Sequence, residues 1–289
     1  MARVAAQLSN FTAGELSPRL DGRNDLAKYS AGCATVENMV IYPHGAAARR
    51  PGTTFIAEVK TSSAKTRLIS FEFSTTQTYI LELGNQYMRF YRDNGQILSS
   101  GSPYEISTPY LTAELFDIKF AQSADVMYIT HPNHATRKLS RTGHTSWTLT
   151  EVDFTNGPYL DTNTSTTTIT ASASTVGTGR TFTASASTFV STDVGRLIRF
   201  RDGHAKVTGF TSATVVTVEI LVDTGSASAS TDWNLGAFSN TTGHPSCVSF
   251  FEQRLVFAAT LSQPQAVFFS KSGDYENMDA NIGGTVADD

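Results

Sequence analysis

Cysteine is scarce in this sequence, and its spacing excludes some common kinds of site. Only two cysteines, Cys33 and Cys247, occur among 289 residues, and they form no CxxC pair. Such usage excludes a disulfide-rich scaffold and gives no indication of a thiolate metal site. We expect two reduced, buried thiols, and a disulfide between them is the alternative.

Long apolar runs are missing as well. No stretch approaches the roughly 20 apolar residues that cross a bilayer, so we predict no membrane span. The residues that follow Met1, from Ala2 to Gln7, are too few and too polar for the apolar core of a signal peptide. We therefore expect the protein to be made in the cytoplasm.

An excess of positive charge is also absent. With 22 Lys and Arg against 26 Asp and Glu, the formal net charge is −4. A surface that binds nucleic acid in general is normally basic, and this balance argues against one. A channel lined by local acidic charge, to which DNA does not adhere, is still compatible with the net charge.

Threonine, serine, glycine and alanine are abundant, which favours strands and turns over long helices. Strand patterns lie at 54–59, 67–73, 78–83 and 86–92, and Gly84-Asn85 marks a tight hairpin turn. A similar unit recurs at 116–152 and again at 247–270. The first two units lie about 50 residues apart, which is a spacing typical of propeller blades.

Between the second and third units, from Asp161 to about Phe238, the composition changes. Two copies of Thr-Ala-Ser-Ala-Ser, at 170–174 and 183–187, precede short alternating strands. We predict a mainly β fold, in which a partial or open β-propeller-like body carries an inserted small β-sandwich or barrel module. The predicted domains are an N-terminal interlocking or docking segment at 1–60, the body at 61–160 and 239–289, and the insert at 161–238.

The first 52 residues carry the most specific motif. It reads Asn10-Phe11-Thr12-Ala13-Gly14-Glu15-Leu16-Ser17-Pro18, then Gly22-Arg23-Asn24-Asp25-Leu26-Ala27-Lys28-Tyr29, then Glu37-Asn38, then Arg49-Arg50-Pro51-Gly52. This order resembles the N-terminus of tail nozzle proteins of short-tailed bacteriophages and prophages, also called tail tubular protein B or stabilisation-type proteins. Glycine and proline break helical structure in most of the segment, although 25–38 could hold a short helix capped by Asn24 or Asp25.

The resemblance implies a mechanical function. Proteins of that family form rings, commonly hexameric, whose central channel passes DNA. By analogy, this chain is a structural component of a phage tail, located in the virion and made in the cytoplasm of the host bacterium. The implied partners are further copies of the chain, the tail adaptor protein, tail fibres or spikes, and DNA that passes through the channel without sequence-specific binding.

The residues that match the family motif are our candidates for the subunit interface. They are Glu15, Pro18, Arg23, Asp25, Tyr29, Asn38, Arg49, Arg50 and Pro51. A guanidinium group can hold a carboxylate of a neighbouring subunit at two points, which favours the arginines as contacts. The alternative is that these arginines are solvated loop residues.

A second resemblance to the same family lies at 270–277. The sequence Ser270-Lys271-Ser272-Gly273-Asp274-Tyr275-Glu276-Asn277 matches a strand end followed by S-x-x-G-D-Y-x-N. In that family many more residues follow. Three explanations of the shorter length of this chain are open: a fragment, a shortened gene and an open propeller. An open propeller leaves strand edges for a neighbour to cover.

Candidates for catalysis or metal binding are few. The stretch His131-Pro132-Asn133-His134 offers two imidazoles, but no acidic third ligand lies nearby in sequence, so we interpret both as loop histidines. The aromatic residues Phe189, Phe200, Phe210 and Trp233 could form a sugar-stacking platform, although filling a small core is their more common role. We predict no catalytic residues, no cofactor and no metal site.

Two other function classes stay open. A host-surface recognition module, in which the insert binds a glycan, is the alternative to a tail ring. A glycan-cleaving enzyme on a propeller is the least favoured class, because no paired carboxylates stand out.

Overall fold

The structure is a computed structural model that describes residues 8–279, and it is mainly β, as predicted. Strands form 46% of the chain, and no α-helix occurs among the described residues. Single turns of 3-10 helix lie at Pro18–Leu20, Tyr29–Ala31 and Ser191–Asp193. No helix within residues 8–279 is long and apolar enough to cross a membrane. The chain divides into two compact units, Met1–Ile56 and Ala57–Asp289.

The first unit contains two small sheets. Strands β1 (Gly14–Glu15) and β2 (Gly32–Cys33) pair in parallel, and β3 (Met39–Ile41) and β4 (Ala47–Arg49) form an antiparallel hairpin. The short helix expected within 25–38 is wrong, because only the single turn at Tyr29–Ala31 forms. Gly32 ends that turn in an extended conformation, with φ −112° and ψ 166°, and glycine inside a helix is unfavourable because its backbone loses the most conformational freedom.

The strand expected at 54–59 is also wrong, because residues 50–59 form no strand. Phe55 is 76% exposed, so this stretch lacks the half-buried surface on which β-prone side chains pack.

The second unit begins with a five-stranded sheet, here called the first sheet. Its strands have the order β11-β7-β6-β5, and β8 also pairs with β7, whereas β9 and β10 form a small separate ladder. The bounds are β5 (Arg67–Ser74), β6 (Gln77–Gly84), β7 (Tyr87–Arg92), β8 (Gly95–Gln96), β9 (Leu98–Ser99), β10 (Ser102–Pro103) and β11 (Glu105–Ser107). The strands predicted at 67–73, 78–83 and 86–92 are therefore confirmed.

The second sheet is a four-stranded antiparallel meander with the order β12-β13-β14-β15. Its strands are β12 (Lys119–Ser123), β13 (Val126–His131), β14 (His134–Gly143) and β15 (Ser146–Glu151).

The insert forms a six-stranded antiparallel sheet with the order β16-β17-β20-β19-β18-β21. Its strands are β16 (Ile169–Ala171), β17 (Gly177–Ala184), β18 (Leu197–Phe200), β19 (Gly203–Ser212), β20 (Val215–Val222) and β21 (Trp233–Leu235). One sheet of the chain curls into a half-barrel. In the insert, Ser230 pairs with Ile169 at one edge, and the following β21 pairs with β18 at the other edge. Three register shifts between β19 and β20 add bending and twist.

Aromatic side chains fill the core of the insert. Phe182, Phe189, Phe200 and Trp233 are buried there, together with the aliphatic residues of β16 to β20. The interpretation that these rings fill a small core is confirmed for Phe189, Phe200 and Trp233. Phe210 is 39% exposed and is not part of that core.

The two ends of the insert lie side by side. Tyr159 forms a backbone bridge with Gly236, and the amide of Leu160 donates to the carbonyl of Leu235 at 2.8 Å. Beside them, the buried side chains of Asp193 and Arg196 form an ion pair at 2.8 Å, and Arg196 Nε donates to the Gly236 carbonyl at 2.7 Å. The chain therefore leaves the body and returns to it at one place.

The third sheet has the order β22-β23-β24, with β22 (Cys247–Phe251), β23 (Arg254–Ala258) and β24 (Val267–Phe269). Cys33 is partly buried and Cys247 is exposed, and both are free thiols. The expectation of two buried thiols is therefore wrong for Cys247, which stands on the outward face of an edge strand in the described chain.

The three sheets of the body are stacked face to face. Met127 and Ile129 of β13 belong to a core shared with the first sheet, whereas Tyr128 belongs to a core shared with the third sheet. This alternation follows from the period of two along a strand. The second sheet is therefore covered on both faces. The first shared core contains Phe71, Tyr79, Leu81, Phe90, Leu139 and Trp147, and the second contains Val152, Leu255, Phe257 and Met278.

Candidate subunit interface

The nine residues predicted at a subunit interface lie in the first unit, on its short strands, between them or directly after the last one. Eight of them are exposed and Tyr29 is half-buried. Several of their side chains hold the segment in shape by pairing with each other or with nearby backbone. The sequence motif therefore has a structural role inside this segment, whatever partner it meets.

Arg23 and Asp25 form a two-point ion pair. Arg23 Nε and Nη2 donate to the two carboxylate oxygens of Asp25 at 2.7 and 2.6 Å. The hydrogen bond from Arg23 lowers the pKa of the Asp25 carboxyl. Close by, the hydroxyl of Tyr29 accepts from the amide of Gly22 at 3.0 Å. These contacts close the turn between the two 3-10 turns of the segment.

Asn38 and Arg50 close the open end of the β3–β4 hairpin. Arg50 Nε donates to Asn38 Oδ1 at 2.7 Å, and the Arg50 amide donates to the Asn38 carbonyl at 3.0 Å. Asn38 has a φ of 58°, a backbone conformation that asparagine tolerates better than most residues. Arg50 also lies 3.5 Å from the carbonyl of Pro51 through Nη1.

Glu15 and Pro18 shape the start of the segment. Glu15 Oε2 accepts from the amide of Val36 at 2.9 Å, which ties β1 to the chain after β2. Pro18 begins the first 3-10 turn, where its missing amide hydrogen costs no hydrogen bond.

Arg49 differs from the other motif arginines. It lies on β4 opposite Met39, and its guanidinium has no hydrogen-bond or ion-pair partner among residues 8–279. An exposed arginine on a paired strand is free to contact a carboxylate of another molecule.

Sequence reasoning missed Gly32. A Cβ atom at this position would lie 2.4 Å from Leu16 Cδ1, so a larger residue would have to displace the Leu16 side chain, which follows β1. Gly32 directly follows the 3-10 turn at Tyr29–Ala31. Nothing in the sequence around it indicates the contact with Leu16, because that residue is distant along the chain.

Burial in this segment is very low. Among residues 8–56 only Gly45 is buried, and Met39, Val40 and Tyr42 on the hairpin are 46%, 40% and 44% exposed. The hairpin thus presents apolar side chains together with the unpaired guanidinium of Arg49.

No protein-family model matches this chain, and no curated protein matches it either.

Proposed function

We propose that this chain is a structural subunit of a phage tail, which forms a nozzle-like ring around the DNA channel through the segment of residues 8–56. The observation that carries this proposal is the contrast within that segment. Its motif residues hold an ordered shape through specific hydrogen bonds, and yet only Gly45 is buried.

Energetics favour a partner for such a segment. Fixing the backbone costs roughly 1–2 kcal/mol of conformational entropy per residue, and apolar burial is the main term that offsets it. Exposed ion pairs such as that between Arg23 and Asp25 add little. A neighbouring subunit that covers Met39, Val40 and Tyr42 would supply the missing burial.

Arg49 is the contact that we propose to carry specificity in this interface. Arg23 and Arg50 are already paired inside the segment, whereas Arg49 is not. A carboxylate on the adjacent copy would complete a two-point pair with it.

The stacked sheets support a role in the wall of a ring. Three successive antiparallel sheets pack face to face, and we propose that they are part of an open β-propeller-like body. The net charge of −4 fits a channel past which DNA moves without sequence-specific binding. The proposed partners are further copies of the chain, a tail adaptor and fibres or spikes, in the virion; no enzymatic step is proposed.

Glycan recognition by the insert is less well supported. Three of the four aromatic rings that could form a sugar-stacking platform, Phe189, Phe200 and Trp233, are buried in the core of the insert. Only Phe210 is left on the surface, and a single half-exposed ring is a poor stacking platform.

The mass of the purified chain in solution, by light scattering after size exclusion, tests the proposal. We expect a ring-sized species for the unmodified chain and a monomer for Arg49→Glu. Lys65→Glu is the matched control, because it makes the same charge change at another exposed position and should leave the ring intact. Arg50→Glu is avoided, since it would also break the bond to Asn38.

Two results would contradict the proposal. One is a monomeric unmodified chain at every concentration examined. The other is a ring that persists in Arg49→Glu, with a circular dichroism spectrum showing that the variant is folded.

A further inference from the structure

Three side chains that commonly bind metals converge at the tip of the β13–β14 hairpin. His131 ends β13, His134 begins β14, and Glu114 comes from the loop before β12. One ligand atom from each of the three lies within 4.8 Å of the other two. Ligand atoms of a tetrahedral zinc site, each about 2.0–2.2 Å from the ion, lie roughly 3.3–3.6 Å apart, so side-chain rotations that draw the three groups closer would complete the geometry.

Neighbouring groups orient two of these ligands. Glu114 Oε2 accepts from the amide of Leu111 at 2.9 Å and lies 2.9 Å from His134 Nε2. The ring of Tyr110 packs edge-on against His134, with ring centroids 5.3 Å apart, and its centroid lies 6.2 Å from that of His131. A backbone hydrogen bond to a ligating carboxylate and an apolar cover are usual features around bound metal ions.

His131 supplies an independent indication of a missing ligand. The residue is 2% exposed, and its Nε2 is buried with no hydrogen-bond partner among residues 8–279. Its Nδ1 accepts from the amide of Asn133 at 3.2 Å. A buried polar nitrogen without a partner is costly, and an ion at Nε2 would remove that cost.

We propose that Glu114, His131 and His134 bind one divalent transition-metal ion of the zinc class, with a solvent molecule as a further ligand. Two imidazoles and one carboxylate suit zinc and exclude calcium or magnesium, which prefer oxygen ligands. The ion would tie the loop before β12 to the β13–β14 hairpin. Glu114 was missed in the sequence because the fold, and not local spacing, brings it to the histidines.

Binding has a defined proton balance. Since Nδ1 of His131 accepts from the Asn133 amide, the proton of the neutral ring lies on Nε2. For Nε2 to bind an ion, the ring proton would have to move from Nε2 to Nδ1, which leaves the charge of the ring unchanged. The 3.2 Å hydrogen bond from the Asn133 amide would then be lost, and the metal–nitrogen bond would take its place in the balance.

Calorimetric titration with zinc tests the proposal. The full chain carrying Cys33→Ser and Cys247→Ser, which removes the two free thiols, is stripped with a chelator first. We expect one zinc ion per chain, and an affinity that falls about tenfold or more in Glu114→Gln and in His134→Gln. The exposed residue His44 gives the matched control, because His44→Gln should bind zinc as before. No zinc uptake, or an affinity unchanged in both variants, would overturn the proposal.

A cobalt spectrum tests metal binding by the cluster without the ligand variants, so it can be used even if one of those variants fails to fold. Cobalt(II) in the thiol-free chain is expected to give the intense visible bands of four- or five-coordination. If the spectrum shows nothing more than the weak bands of aqueous, six-coordinate cobalt, the cluster is a histidine–glutamate ion pair that does not bind a metal ion.

Discussion

Burial of His204 in the insert contributes to the pH dependence of the protein's stability. His204 lies on β19 and is 7% exposed. Burial lowers the pKa of His204, although a backbone hydrogen bond at Thr155 and the charge of Asp279 act in the opposite direction. The unfolded chain therefore binds this proton more readily. The contribution of neutral His204 to the free energy of unfolding is complete above the unfolded-state pKa of about 6.5. It is lost as the pH falls through the lower pKa of the folded state.

Replacing His204 should flatten that dependence. We expect His204→Asn to lose less stability than the unmodified chain between about pH 7 and pH 5, by up to about 1.4 kcal/mol per pH unit. Urea unfolding at a series of pH values, followed by tryptophan fluorescence, gives the free energies. Burial also lowers the pKa values of His131, His144 and His244, so both chains lose stability and only the difference reports on His204. Two parallel curves would count against this assignment.

For single residues, the sequence predicts which positions belong to the N-terminal motif better than it predicts which side chains form contacts. The family-like motif selected Arg23, Arg49 and Arg50 alike, yet two of these arginines are paired inside the segment and one is not. Which arginine is paired depends on how the turn and the hairpin close. Residue types alone do not determine this, and for the same reason Gly32 could not be selected.

Among the structural elements, the β18–β19 hairpin is held by one very close approach. A Cβ atom at Gly203 would lie 2.3 Å from the Val222 carbonyl oxygen and 2.5 Å from that of Asp223. Both obstacles are backbone atoms at the end of β20, which cannot rotate away as a side chain can. The hairpin and the adjacent strand therefore pack together only with glycine at this position.

Gly203→Ala should destabilise the protein by about 1–3 kcal/mol or more, the range of overpacked sites. The midpoint of urea unfolding measures this change. Gly52→Ala is the matched control, because a Cβ at Gly52 meets nothing within 4 Å, and its stability should stay close to that of the unmodified chain. Equal midpoints for the two variants would refute the clash.

Alternation in the sequence indicated β5, where one face is buried and the other is exposed, whereas β6, β7 and β13 were found as short apolar runs because much of both faces is covered. It failed at 54–59, where β-prone residues have no partner strand, and at 25–38, where turns replace the expected helix. The choice between a sandwich and a barrel for the insert depended on edge pairing such as that of Ile169 with Ser230, which no local pattern reveals.

At the scale of the whole molecule, the insert and the body have separate cores. The buried cluster around Phe182 contains only residues of the insert, and the cluster around Trp147 contains none of them. Because Leu160 and Leu235 are hydrogen-bonded to each other, a short linker can replace the chain between them.

We expect the protein without residues 161–234, joined by a short Gly-Ser linker, to keep a folded body. Trp147 is then the only tryptophan, and it reports on the core of the body alone. Blue-shifted emission and a cooperative unfolding transition are the expected results. The exposed pair of Lys206 and Asp153 is lost, which should cost less than about 1 kcal/mol. Emission typical of a solvated indole would mean that the body needs the insert in order to fold.

The double cover of the second sheet has a consequence for how genes of this architecture can change in length. Each meander added to an end of the stack covers one apolar face and presents another, so duplication or deletion of a whole meander leaves an end of similar chemistry. Loss of a single strand would instead reverse the direction of every strand after it in that sheet. We therefore expect such genes to gain or lose whole meanders. The interior strand β13 keeps the requirement for apolar side chains on both faces, because both of its faces are buried.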